Sequence, residues 1–238
     1  MIRRLALIVF GVCCLLVAAE GPKQKIQVSN TQRLDFPPGG LLTLNNSIGE
    51  LWIRGEDRPD VLITTTKSTK VEYDAPNREK GGHELDQVLT TAERHGDELV
   101  VTTTYPRYSV FAPPLRGGTR FDLMYDIRVP RNARLAVDHD SGYVFVDNLM
   151  SDIHVTVLHG SITLRLPAEG QYAIDARSKF GSVSSDFAGR VQRKFWLVGQ
   201  QLTNAGSSSA EKIYLRVGYG DIILLEPAGS PLAYPRAN

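Results

Sequence analysis

The chain has 238 residues, with 27 lysines and arginines against 26 aspartates and glutamates, so its formal net charge is only +1. A chain so close to neutral lacks the basic surface that binding to nucleic acid or to anionic lipid requires. Its two cysteines, Cys13 and Cys14, lie close to the amino terminus. The rest of the sequence therefore offers no thiol for a disulfide, a thiolate nucleophile or a cysteine-ligated metal.

Residues 1–19 have the three parts of a secretory signal peptide. Arg3 and Arg4 precede an apolar run over residues 5–17, which ends in small residues. An uncleaved membrane anchor is disfavoured because this run is shorter than the ~20 residues that a transmembrane helix needs. We therefore predict an exported protein, periplasmic or at the cell surface, whose mature form does not span the membrane.

Three further segments follow in the predicted organisation. Residues 20–40 are polar and end in two prolines and two glycines, which predicts a linker. Residues 41–225 predict one β domain, and residues 226–238 a disordered tail. Within the domain, residues 106–118 predict an irregular loop. Residues 83–94 predict its one short helix, because their apolar residues recur at helical spacing.

A pattern with a central glycine recurs along the domain: apolar-x-apolar-x-x-x-x-Gly-x-apolar-x-apolar. Its glycines are Gly49, Gly142, Gly160, Gly181 and Gly220. The alternation has the period of a strand with one buried face. An interior glycine indicates a tight bend, where φ is positive or a side chain would clash. We identify these five as structural glycines.

The spacing of the glycines predicts how the units are arranged. Gly142 and Gly160 lie 18 residues apart, and Gly160 and Gly181 lie 21 apart. The 39 residues from Gly181 to Gly220 leave room for a degenerate unit around Gly199. A supersecondary unit repeated at roughly 20 residues is typical of stacked solenoids. We therefore predict an all-β fold, a mostly parallel β-solenoid or β-helix-like stack with one short helix in an insertion.

The repeat also predicts which side chains face outward. Residues two and four after each glycine are almost always aliphatic and should face the core, so residues one and three after it face out. Large aromatics on an outward face are typical of recognition surfaces. Trp52, Tyr143 and Phe145 hold such positions, and Tyr108 and Phe111 lie in the predicted loop. We take all five as candidate ligand-binding residues; alternatively, another strand or the helix covers those on the strands.

Three histidines, His139, His154 and His159, belong to neighbouring repeats, and stacking could bring some of them together. A metal site needs its ligands to converge within about 2.0–2.2 Å of one ion. His154 alternates outward, whereas His139 and His159 lie in predicted bends. We therefore predict solvated or locally hydrogen-bonded histidines, with no metal and no cofactor.

One predicted column of polar residues could carry catalysis. Asp138, Thr156, Arg177 and Arg216 hold the same position relative to their glycines, so they should align on the outside. Acidic and basic residues on one face could act on a polysaccharide, or they could form a mixed-charge ladder that stabilises adjacent strands. The sequence has no Gly-x-Ser-x-Gly nucleophile elbow. We predict that the protein is not an enzyme.

Four segments carry a resemblance to a known family: residues 47–51 (SIGEL), 125–130 (YDIRVP), 213–215 (IYL) and 219–222 (YGDI). Over residues 41–225 the chain resembles the bacterial family named putative adhesin, exported domains of unknown function. The resemblance implies a β-solenoid-like fold at the cell envelope. The family has no agreed catalytic residues that could be carried over.

These observations favour a non-catalytic exported binding or scaffold module of the bacterial cell envelope. The adhesin-like module would contact an envelope protein or a surface glycan through its outward aromatics. One alternative is a polysaccharide-acting enzyme on a solenoid face. Another is a self-associating structural element, since exposed strand edges can pair with a second chain. The sequence leaves the oligomeric state open.

Overall fold

The computed structural model describes residues 23–106, 120–193, 199–204, 206–207 and 209–227. The predicted signal peptide, most of the predicted tail and the candidates Tyr108 and Phe111 lie outside these ranges. The limits of the predicted domain stay predictions.

The described residues form one α-helix, one 3-10 turn (Ala75–Asn77) and a single 14-stranded sheet. The elements are β1 (Gln27–Asp35), β2 (Leu41–Glu56), β3 (Asp60–Thr69), α1 (Arg78–Asp86), β4 (Leu89–His95), β5 (Glu98–Thr104), β6 (Phe121–Pro130), β7 (Arg134–Asp147), β8 (Ile153–Arg165), β9 (Tyr172–Phe180), β10 (Val183–Ser185), β11 (Arg190–Arg193), β12 (Gln200–Asn204), β13 (Glu211–Tyr219) and β14 (Ile222–Leu225).

The sheet folds over into two layers, because the long strands β2, β7 and β8 bend in their middle. Layer A holds the first halves of these strands, with β5 and β4 beyond β2, and β13, β9, β12 and β11 beyond β8. Layer B holds their second halves, with β6, β3 and β1 on one side and β14 and β10 on the other. Each repeat thus contributes one strand segment to each layer.

The bends lie at the five glycines of the repeat, whose φ angles range from 90° to 152°. A β-carbon on Gly142 would overlap the carbonyl oxygen of Gly49, and one on Gly160 would overlap that of Gly142. The same relation joins Gly220 to Gly160 and Gly181 to Gly220. The glycines therefore stack backbone on backbone in a column in which only glycine fits.

The prediction of a mostly parallel β-solenoid was wrong. The all-β class with one short helix is confirmed, but the sheet is mixed, with antiparallel ladders at both of its ends. The repeats also do not follow one another in sequence order, since the unit of Gly220 lies between those of Gly160 and Gly181. Where the degenerate unit around Gly199 was expected, β12 pairs antiparallel with β9. Alternation with period 2 fits a half-buried strand with either kind of neighbour, so it could not distinguish them.

The predicted helix over residues 83–94 is replaced by two elements. The helix α1 ends at Asp86, and β4 begins at Leu89 and pairs antiparallel with β5. Apolar spacing in so short a segment suits either conformation, and pairing with β5 decides the outcome. Among the described residues, no helix is long and apolar enough to cross a membrane.

The hydrophobic core lies between the two layers. The prediction that residues two and four after the glycines face inward is confirmed for most repeats. These buried residues are Leu51, Ile53, Val144, Val146, Ile162, Leu164, Val183, Ile222 and Leu224. They share one cluster with the aliphatic residues that precede the bends. Burial of each such side chain contributes about 1.5–3 kcal/mol, so packing between the layers holds the bent sheet closed.

Candidate functional site

The candidate aromatics of β2 and β7 differ in exposure. Trp52 lies opposite Phe145 in the register, and their rings stack with centroids 4.0 Å apart and an interplanar angle of 14°. Trp52 is only 8% exposed, and its indole nitrogen donates to Glu50 at 3.4 Å. Tyr143, whose ring centroid lies 6.4 Å from that of Phe145, is 54% exposed. Tyr143 is therefore the candidate that a ligand reaches most readily.

A second set of rings lies at the bends, on the residues that directly precede three of the glycines. Tyr219 of β13 lies between His159 of β8 and Phe180 of β9 in the register. Its ring centroid is 5.1 Å from that of His159 and 4.7 Å from that of Phe180, with interplanar angles of 5° and 10°. Adjacent strands lie about 4.8 Å apart, which matches the spacing of stacked rings.

This ladder of rings was missed in the sequence, where outward aromatics were sought among the residues after each glycine and in the predicted loop. The available signal was the recurrence of an aromatic ring directly before Gly160, Gly181 and Gly220. Its recognition also required the spatial order of the strands, because β13 separates β8 from β9.

The two sets of rings come near one another on the neighbouring strands β7 and β8. Ser141 lies opposite His159 and Tyr143 opposite Ser161, so Tyr143 is the diagonal neighbour of His159. The rings thus run from the outer face of layer B to the bends. We call this surface the aromatic strip: Trp52, Phe145, Tyr143, His159, Tyr219 and Phe180. Besides Tyr143, its most exposed large ring is Tyr219, at 50%.

The three histidines do not converge. His139 is fully buried, and its Nδ1 lies 2.8 Å from Ser47 Oγ. Burial lowers the pKa of His139 to about 4, against the smaller opposing effects of nearby backbone groups and Asp140. His154 and His159 are exposed on β8, where they pack against Tyr214 and Tyr219. In the described part of the chain, no three His, Cys, Asp or Glu side chains group closely enough to hold a metal ion.

The predicted polar column aligns on the outer face of layer A. The register places Asp138 opposite Thr156, Thr156 opposite Arg216, and Arg216 opposite Arg177. Both arginines bond to Asp175: Arg177 donates two bonds of 3.1 and 3.0 Å, and Arg216 Nη2 donates one of 2.7 Å.

Asp175 is the electrostatic centre of this face. Partial burial acts to raise the pKa of Asp175, but hydrogen bonding to Arg216 and the charges of both arginines hold it below its ordinary value. The column itself contains a single carboxylate, that of Asp138, whereas glycoside hydrolysis generally uses two. The arrangement therefore resembles a mixed-charge ladder more than a hydrolytic site.

A cavity of about 270 Å³ opens beside this column, between β9, β12 and β13. Its lining includes Arg177, Lys179, Arg216, Ser178, Gln200 and Gln201. Lys179 Nζ lies 5.6 Å from the centroid of the Phe180 ring. The cavity thus adjoins one end of the aromatic strip.

Comparison with known proteins gives two matches, both to solved structures. A putative cell adhesion protein from Clostridium sporogenes is 15% identical, with a TM-score of 0.49 over 85% of this chain and 100% of that chain. A putative adhesin from Bacteroides fragilis is 11% identical, with a TM-score of 0.27 over 84% and 97%. The names of both refer to adhesion, but these scores are too low to support a conclusion about this chain. No protein family and no curated protein sequence matches it.

Proposed function

We propose that this chain is a non-catalytic, exported binding module of the bacterial cell envelope. It contacts an envelope protein or a surface glycan, as an adhesin does, through the aromatic strip. The observation that carries this proposal is the exposure of Tyr143 and Tyr219 within a strip of rings that are otherwise stacked. The proposal that the protein is exported is supported by the signal peptide predicted at residues 1–19.

Stacked rings suit recognition for an energetic reason. A ring that already packs against its neighbours loses little side-chain freedom when a ligand binds, so less of the interaction energy is lost to ordering. Tyrosine also offers a large apolar face together with a hydroxyl group, and it is enriched among the residues that dominate binding energy. The strip therefore combines rigidity, apolar area and hydrogen-bonding capacity on one surface.

The charged groups favour binding over catalysis. Arg177 and Arg216 are held by Asp175, and the buried His139 has a pKa of about 4, so it is neutral at physiological pH. The lowered pKa values of Asp175 and His139 arise from a structural ion pair and from burial, which shift pKa values in structural as well as in catalytic groups.

Self-association through sheet edges has less support. The edge strand β1 carries Arg33 and Asp35, and β11 begins and ends with Arg190 and Arg193. Charged side chains on edge strands are a common means of preventing edge-to-edge pairing.

The test is a double variant, Tyr143→Ala/Tyr219→Ala, in the mature chain from residue 20. Wild type and variant are titrated against purified cell-wall polysaccharide and against envelope proteins, and bound protein is quantified after sedimentation. We expect binding to weaken by about tenfold or more, because buried aromatics at an interface each contribute 1 kcal/mol or more. Thermal unfolding should change little, since both rings are half exposed.

The matched control is Val191→Ala, which removes an apolar side chain of 52% exposure on β11, away from the strip. It should bind as the wild type does. The proposal fails if the double variant binds as well as the wild type, or if the wild type binds neither material.

A further inference from the structure

The cavity beside the strip carries an excess of positive charge. Arg177, Lys179 and Arg216 line it, and within the described residues the carboxylate bonded to these cations is that of Asp175. Three cations against one carboxylate leave about two positive charges around a cavity of about 270 Å³. Such a concave, cationic site favours an anionic group.

The donors that remain unused are suitable for a carboxylate. Arg216 is committed, since its Nη1 donates at 2.8 Å to the carbonyl oxygens of Asp175 and Leu215 and its Nη2 donates to the Asp175 carboxylate. Arg177 uses Nε and Nη2 on the same carboxylate. Among the described contacts, Arg177 Nη1 and Lys179 Nζ have no hydrogen-bond acceptor. Asp175 therefore holds the guanidinium groups in place while two donors stay available for charge-assisted bonds.

The rest of the lining suits a sugar. The Ser178 hydroxyl donates to the Gly220 carbonyl, Gln200 Oε1 accepts from the Val183 N–H, and Gln201 Nε2 donates to Asp175. Among the described contacts, Gln200 Nε2 and Gln201 Oε1 are not used in these bonds and can bond to sugar hydroxyls. The volume lies just below the 300–1,000 Å³ typical of sites for drug-sized ligands, which suits one monosaccharide unit. Because the strip begins at Phe180, further units of the same chain would lie along its rings.

An acidic peptide would bring the same carboxylate, but the described strands around the cavity have no free edge for its backbone. Peptides that bind along sheets add a strand to a free edge. The strands around the cavity, β9, β12 and β13, are each paired on both sides. A polysaccharide needs no such edge.

We propose that this cavity binds the carboxylate of a uronic acid unit, so that the ligand of the aromatic strip is an acidic polysaccharide. The proposal rests on the binding role given above and names the class of ligand.

The experiment compares an acidic probe with its neutral methyl ester. Oligogalacturonate and its fully methyl-esterified form are titrated into the mature protein by isothermal calorimetry. We expect the free acid to bind and the ester to bind at least about tenfold more weakly, since the neutral ester cannot form an ion pair with Arg177 or Lys179. Added salt should weaken binding of the acid and leave that of the ester nearly unchanged.

Single-charge variants locate the site. Lys179→Gln and Arg177→Gln should each lower affinity for the acid by about tenfold. Arg190→Gln removes an exposed charge from β11 outside the cavity and should change the affinity less than about twofold. An equal loss in Arg190→Gln would overturn the cavity assignment.

The remaining outcomes separate this proposal from the binding role. Equal affinity for acid and ester, or no binding of either by a wild type that binds other envelope material, overturns the uronate subsite alone. Poly-glutamate that binds as tightly as the acid and with the same sensitivity to Lys179→Gln overturns the assignment to a sugar. Oligogalacturonate binding that is weakened about tenfold in Lys179→Gln and is also weakened in Tyr143→Ala/Tyr219→Ala supports both proposals.

Discussion

The inner and outer sides of the bends use the same repeat in opposite ways. On the inner side, the glycine column brings backbones into direct contact, so a single added methyl group has no space. On the outer side, the preceding residues of β8, β9 and β13 carry large rings that stack and stay in contact with solvent. The difference shows that one sequence position can determine stability while its neighbour remains available for binding.

The variant with the largest expected effect on the inner side of the bends is Gly160→Ala. The new β-carbon would overlap the carbonyl oxygen of Gly142, and the residue has a φ of 142°, which alanine rarely adopts. We expect a loss of at least about 4 kcal/mol in the free energy of unfolding, enough to unfold many domains. Urea denaturation followed by circular dichroism measures it.

The matched control is Gly82→Ala in α1, where a β-carbon meets nothing within 4 Å. Alanine is the better helix former, so this variant should be more stable by up to about 1 kcal/mol. Similar stabilities for the two variants would show that the column tolerates side chains.

The second contrast is between the buried His139 and the exposed His159. The pKa of His139 falls from about 6.5 in the unfolded chain to about 4 in the folded protein. Between these values the unfolded chain binds more protons, so stability should fall as the pH drops from about 6.5 to about 4. At 1.36 kcal/mol per unit of pKa, the loss from this residue approaches about 3 kcal/mol.

The measurement is urea denaturation at a series of pH values for the wild type, His139→Gln and His159→Gln. The pH dependence should flatten in His139→Gln and persist in His159→Gln. If both variants keep the slope of the wild type, burial of His139 is not its source.

The smallest effect concerns two tyrosine hydroxyls. The Tyr125 hydroxyl is buried and lies 2.5 Å from Thr103 Oγ1, whereas Tyr219 is half exposed. Tyr125→Phe leaves Thr103 without this partner and should cost about 1 kcal/mol. Tyr219→Phe should change stability by less than about 0.5 kcal/mol. Thermal unfolding of the two variants compares them directly, and equal losses would contradict the contrast between inside and outside.

Several features of the fold followed from the sequence because their causes are local. Leu51 and Ile53 alternate with polar residues after Gly49, and this pattern was sufficient to place them in the core. The prediction of a helix over residues 83–94 was wrong for the opposite reason, because the conformation of this segment depends on its pairing with β5.

The candidate site was only partly predictable. Tyr143 was identified as an outward aromatic and is exposed, but Trp52, on the same face, is nearly covered by contacts that include Phe145 and Glu50. Alternation gives the direction of a side chain and says nothing of what packs upon it. The rings of Phe180 and Tyr219 come together across 39 residues of sequence, through a strand order that no local pattern contains.

The sequence by itself determined the all-β class, the inward rows of aliphatic residues and the recurrence of a glycine in each repeat, because each depends on a residue and its immediate neighbours. Only the tertiary structure decided that the sheet is mixed, that the Gly220 unit lies between those of Gly160 and Gly181, and that the aromatic strip adjoins a cationic cavity. These features depend on which strands pair, and pairing is set by the packing of the whole sheet.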